Sequence, residues 1–437
     1  MAGGAQCDAH AACKMARFAR DRFFMPLPSH SQLDDPAAQA AQLIVRVGVF
    51  VLATALPLAC VVSRRAIFPL MPIGAILVLI GASLAPERPN LRQCLSPLFT
   101  PVGLAALFLA AWAALSLAWT PWTSVGIGIY AKTMGTFGLA LAAAELLPGH
   151  TKTSNLNLLP VGVALAALAT TAVALIGPTW MRAPAPTLEA STLPRSIVGL
   201  IMLLWPALTA LAIRQRRTSA GLLAALTALA GAIVWTPAAL AVMGAGALVF
   251  WISASAPRPS ARAMAAVFAL LFVCAPALAL AAAALIGRAA APPPFLSEIP
   301  VWASIVKGDG LRLLTGHGFD ALSRARAAGL LPAGAPRSLL FEVWYDLGVL
   351  GALGAAALTI LAYLSAGRAS RAVAPFALAA LTCGLLFAVT GLATTQMWWI
   401  TLVSVAGFGF GLVRKGQYRT QRPRVSVPIS DPHPSAP

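Results

Sequence analysis

The sequence predicts an all-α, polytopic integral membrane protein, on three observations. Of its 437 residues 59% are hydrophobic and 10% charged, against about a quarter charged in a soluble domain. Mean hydropathy is +0.82. Apolar runs of about twenty residues recur along the chain, each long enough to cross the hydrocarbon core as a helix. The net charge of +18 would point to nucleic acid in a soluble protein. Here most Lys and Arg flank apolar runs, where the positive-inside rule requires them, so membrane orientation accounts for the charge and no nucleic-acid partner is expected.

Residues 1–42 are polar, with Lys14, Arg17, Arg20 and Arg22. They lack the short apolar core and small-residue cleavage site of a secretory signal, and they read as a cytoplasmic tail. Twelve spans are expected at about 43–63, 66–85, 100–119, 125–147, 158–178, 196–213, 219–235, 237–255, 263–286, 339–364, 372–392 and 397–413. The least secure division is Trp235-Thr236-Pro237, where one proline separates two short segments. Residues 43–413 then form one membrane domain, and 414–437 a basic, proline-rich cytoplasmic tail.

Counting charges gives the orientation. With the N-terminus inside, 19 basic residues fall on the inner tails and connections and 10 on the outer ones. Six of those 10 lie in one long excursion, and long loops carry little weight in this rule. Among the short connections Arg64-Arg65 goes against the assignment. Both termini inside, in a bacterial inner membrane, with one large periplasmic loop, is the arrangement that follows. No GxxxxGK[ST] phosphate loop is present, so ATP is not an expected driver.

The excursion, residues 287–338, holds the most polar chemistry. Arg288, Lys307, Arg312, Arg324, Arg326 and Arg337 face Glu298, Asp309 and Asp320. Trp302, Ile305 and Val306 follow helical spacing, which predicts a short helix lying in the membrane interface. Guanidinium groups there suit a diphosphate, since the planar fork binds phosphate oxygens bidentately and stays charged; contact with lipid headgroups is the plainer alternative. Arg195, which opens the sixth span, is either an anion ligand beside a helix N-terminus or an interface anchor.

Pro336 and Ser338 carry helix-start signals. Glu342 and Asp346 then fall four apart on one helical face, with Tyr345 beside them. They serve either as orienters of arginines, as proton acceptors for a substrate hydroxyl, or as one half of a structural ion pair. His317 sits between two glycines in Gly316-His317-Gly318-Phe319. Lys132 lies mid-span and is expected to face a cavity or an acceptor. The six cysteines imply no disulfide framework in the excursion. Cys7, His10 and Cys13 lack the second half of a metal site, and no metal is assigned.

Three stretches in this order resemble the O-antigen ligase and O-antigen polymerase superfamily of bacterial inner-membrane glycan enzymes. They are 193–208 (LPRSIVGLIMLLWPAL), 301–319 (VWASIVKGDGLRLLTGHGF) and 336–353 (PRSLLFEVWYDLGVLGAL). The resemblance implies a GT-C-like helical fold and transfer of a glycan from an undecaprenyl diphosphate carrier to lipid A core or to another carrier-linked glycan, with no cofactor. It implies arginines on the diphosphate. Arg195 matches one, and Arg288 and Arg312 are the further candidates, Glu298 standing where an arginine is usual.

Ligases of that family carry an HPHN-like tetrad before the helix at 339, whereas this chain reads Ala335-Pro336-Arg337-Ser338. Arg337 cannot act as a general base. Three readings follow: a polymerase-like enzyme relying on arginines including Arg337, a transferase with Glu342 or Asp346 as base, or a catalytically inactive assembly partner. A transporter or flippase of a lipid-linked or anionic solute is the alternative from another class.

Overall fold

The computed structural model describes residues 36–85, 92, 95–148, 153–179, 192–286, 298–308, 310, 312–332, 334–391 and 397–416. Cys7, His10, Cys13, Arg288 and Asp309 lie outside the described residues. Among the described residues the regular structure is helical, with no strand. The chain is therefore an all-α membrane protein: nine of these helices are long and apolar enough to cross a bilayer, and three apolar helices are shorter.

The long helices are α1 (Pro36–Val62), α2 (Arg64–Ser83), α4 (Thr123–Leu146), α5 (Leu158–Ile176), α6 (Leu193–Ile213), α8 (Pro237–Ser255), α9 (Pro257–Ile286), α12 (Leu339–Gly367) and α14 (Met397–Lys415). The shorter apolar ones are α3 (Pro101–Ser116), α7 (Arg217–Ile233) and α13 (Ala374–Val389). All twelve fall on the stretches expected from hydropathy, with ends shifted by a few residues. Start signals explain several ends. Ser63 Oγ accepts from Arg65 N, and Thr100 Oγ1 from Gly103 N at 3.1 Å, each satisfying an orphan amide of a first turn. Between α7 and α8 the division at Trp235 is real: Trp235 has φ 57°, and Pro237 opens the next helix.

α6 is the most enclosed span and anchors the larger core. Against it pack α1, α5, α7, α13 and α14, and α2 and the far half of α4 join the same core. Close approach sets this packing. Gly162 of α5 lies so near α1 that a Cβ would meet Ala53 O and, at 2.7 Å, Thr54 Cα. At that point α1 widens into a π turn (Val51–Ala55), and Thr54 Oγ1 donates to Leu158 O at 3.0 Å. A second core joins α9 to the near half of α12, and Phe268 stacks on the wholly buried Tyr363 farther along.

The two ends of the bundle differ in charge. Arg214, Arg258, Arg262, Arg368, Arg371, Arg414 and Lys415 gather at the end away from residues 298–338. There Arg214 donates to Asn157, Arg414 pairs with Glu145, and Lys415 donates to the carbonyls of Glu145 and Leu147.

The apolar stripe of the excursion's first described helix is covered by protein. That helix, α10 (Glu298–Gly308), buries Trp302, Ala303 and Val306, and Trp302 meets Phe341 edge-on at 5.4 Å. Trp302, Val306 and Leu322 share a core with Phe272 and Ala275 of α9. The apolar stripe that would have faced lipid faces the bundle, because α9 continues for 30 residues and offers its own apolar flank. Lys132, mid-way along α4, is exposed and not buried.

Gly162→Ala is expected to lower thermal stability in detergent by roughly 1–3 kcal/mol through overpacking. Gly244→Ala, on the exposed face of α8 with open space around its Cα, is expected to be neutral or stabilising by about 0.5–1 kcal/mol. Equal effects at both positions would show that the α1–α5 approach does not limit stability.

Candidate functional site

The site forms where the excursion meets the near end of α12. Residues 339–347 are one helical segment and 349–367 another, divided at Gly348, whose φ is 64° and ψ −158°. Ser338 caps the first segment, its Oγ accepting from Phe341 N at 3.2 Å, as the sequence signal predicted. A side chain at Gly348 would lie 2.5 Å from Leu314 O and 2.7 Å from Gly316 N, so only glycine admits both the left-handed φ and the close approach.

Opposite that break sits the turn Gly316-His317-Gly318. Gly316 has φ 71° and Gly318 φ 98°. His317 N donates to Tyr345 O at 2.8 Å and Gly318 N to Asp346 O at 2.9 Å, so the turn bonds to the helix end like a strand partner. The His317 ring stacks on Tyr345 at 4.0 Å with 9° between planes. Its Nδ1 lies 3.1 Å from Tyr345 O; facing a carbonyl, Nδ1 carries the proton and leaves Nε2 as the basic nitrogen. With Arg312, Trp302, Phe341 and Trp344, His317 lines a narrow cleft.

Glu342 and Asp346 share a face, as their spacing predicted, but have unequal surroundings. Glu342 is half-buried. Asp346 is 4% exposed, and its Oδ1 accepts from Leu322 N at 2.7 Å at the start of α11 (Ala321–Ala327). That carboxylate is engaged in holding the excursion.

The far side of the turn rests on α3. Phe319 N donates to Ser116 Oγ at 3.0 Å, Trp112 Nε1 donates to Leu347 O at 2.9 Å, and Phe319 packs edge-on against Tyr130. Sequence reading passed over Ser116 and Trp112 because one hydroxyl and one indole in an apolar run are ordinary; their partners are more than 200 residues away.

The arginines divide into three settings. Arg312 is exposed at the mouth of the cleft. Arg337 is half-buried, its backbone and Cβ about 3.3–3.4 Å from where a Cβ on Gly391 would stand. Arg195 is 3% exposed, inside the first turn of α6, so it is not a surface anchor. Next to it Ser196 Oγ donates to Cys60 O at 2.9 Å. α6 and α13 run antiparallel, with Trp205 Nε1 3.2 Å from Cys383 Sγ and Met202 against Gly384. Arg195 is seven residues beyond Met202, and Gly391 seven beyond Gly384. Arg195 is thus in the first turn of α6, and Arg337, just before the Ser338 cap of α12, lies against Gly391, which follows α13.

No protein-family model matches the chain, and no characterised protein matches it in sequence. The fold and site define an α-helical membrane protein with a narrow, largely aromatic cleft at one end of its bundle, lined by Arg312 and His317.

Ser116→Ala would leave Phe319 N–H without its acceptor and is expected to cost about 1–3 kcal/mol. Gly348→Ala, which adds backbone strain and a collision, is expected to cost more. Thermal unfolding would check both; a Gly348→Ala protein as stable as the parent would contradict the interlock.

Proposed function

We propose that the chain is a membrane glycan transferase, O-antigen ligase-like or polymerase-like. In this reading it moves a glycan from an undecaprenyl diphosphate carrier to a lipid-linked or glycan acceptor at the periplasmic face of a bacterial inner membrane. The observation that carries the proposal is a buried arginine, Arg195, in the first turn of α6 at the end of the bundle that also bears Arg337 and Glu342. The twelve apolar helices are read as twelve spans of a GT-C-like fold. Clustering of the short-connection arginines at the opposite end supports that end as cytoplasmic, with both termini on that side.

In this reading the guanidinium groups of Arg195 and Arg337 neutralise the diphosphate, and Arg312 gathers it at the mouth. The acceptor hydroxyl attacks the anomeric carbon, the bond from that carbon to the diphosphate oxygen breaks, and undecaprenyl diphosphate leaves with the electron pair. Glu342 takes the hydroxyl proton, with His317 Nε2 as the other base within the site. Ionic stabilisation of the leaving group in a low-dielectric setting supplies the largest share of the acceleration. Nothing in this scheme needs a nucleotide or metal.

Surface glycan from a deletion strain complemented with variants tests the proposal, alongside transfer assays on purified protein with an undecaprenyl diphosphate-linked oligosaccharide. Arg195→Ala and Arg337→Ala are each expected to lower turnover by roughly 10²-fold or more, and Glu342→Gln by about 10²–10⁴-fold. Deletion without any change in surface glycan would refute the proposal.

A further inference from the structure

The geometry points to Arg326 and Asp346 as positioning residues that together set the place of Arg337. Arg326 carries the decisive contacts. Its Nη2 donates to Ala335 O at 3.1 Å and to Pro336 O at 2.7 Å, the two carbonyls immediately before Arg337. A charged donor on two successive carbonyls is a strong clamp, and Pro336 narrows the backbone further by fixing its own φ. Arg326 sits on α11, whose first turn is held by Asp346 Oδ1 through Leu322 N at 2.7 Å.

A continuous path therefore runs from the buried carboxylate on α12, through α11, to the guanidinium of Arg326, and on to the strand of backbone that ends in Arg337. Ser338 then caps the segment carrying Asp346, which closes the path into a ring. Every link is a hydrogen bond or one short helix. Arg324, two residues from Arg326, points elsewhere: its Nε bonds Asp320 Oδ2 at 2.9 Å. Neighbouring arginines of one helix thus serve different tasks. The consequence for catalysis rests on the proposed diphosphate role of Arg337, whereas the positioning itself does not.

Two measurements on the full chain in detergent or lipid test this. The first is hydrogen–deuterium exchange. Arg326→Gln is expected to speed exchange of the amides in residues 335–338 by about tenfold or more, while residues 317–322 keep their protection. Asp346→Ala is expected to loosen both segments, and Asp346→Asn, which retains an acceptor oxygen, to spare 317–322. Arg324→Gln is expected to leave 335–338 unchanged. Unchanged exchange at 335–338 in correctly folded Arg326→Gln would overturn the proposal.

The second measurement is a double-mutant cycle on transfer from the undecaprenyl diphosphate-linked donor. Arg326→Gln is expected to raise the donor KM by about tenfold in the parent but to add little in an Arg337→Ala background, since residues acting through one group are not additive. Arg326→Lys is expected to restore part of the loss. If exchange changes as expected but Arg337→Ala leaves the donor KM intact, the positioning holds and the diphosphate role of Arg337 falls. Additive KM effects would instead overturn the claim that Arg326 acts through Arg337.

Discussion

The interlock between the Gly316-His317-Gly318 turn and the Asp346–Gly348 break is the constraint on which the functional end depends. Two backbone amides of the turn pair with carbonyls that a continuous helix would have used internally. Those carbonyls come free because Gly348 leaves the helical region. Each partner makes the other feasible: the break exposes acceptors that would be costly to leave unpaired in an apolar setting, and the turn supplies the donors. With left-handed glycines on both sides, the joint admits almost no variation in residue type. The turn and the start of α11 are thereby fixed in register against α12.

From that joint the rest of the end is ordered. α3 supports the turn from below through Ser116 and Trp112. α10 turns its apolar stripe onto α9, and Trp344 Nε1 donates to Phe272 O at 2.7 Å, tying the segment before Gly348 to the middle of α9. A polar loop has thus become part of the core. That α10 packs its apolar stripe on protein was not readable from the sequence. Periodicity reports that Trp302 and Val306 need an apolar partner, but not whether lipid or protein provides it.

The helices themselves were legible. Runs of about twenty apolar residues mark them, and Ser338 and Pro237 mark two of their starts. The split at Trp235 was legible through its proline. What sequence could not supply was distance across the chain. Arg195 and Arg337 are 142 positions apart, and they come to one end of the bundle through the packing of α6 on α13 and of Gly391 against Arg337. The i, i+4 spacing of Glu342 and Asp346 was read correctly as one face. Their division of labour was not readable, because it depends on Leu322 N reaching one carboxylate and not the other. Arg326 counted only as one charge among six until its two carbonyl partners were seen.

Under the proposed function, the exchange of a histidine for Arg337 becomes a change in strategy and not merely a loss. A histidine beside the donor can take a proton but holds charge only when protonated. An arginine holds its charge throughout and grips phosphate oxygens in a fork, yet takes no proton. The substitution therefore moves the acid–base work elsewhere while strengthening the hold on the leaving group. Asp346 is already committed to α11, which leaves Glu342, half-buried on the same face and one helical turn nearer Arg337. Proton transfer and charge neutralisation would then fall to two residues five positions apart, Glu342 on the segment that the Gly348 joint keeps in place and Arg337 just before its cap.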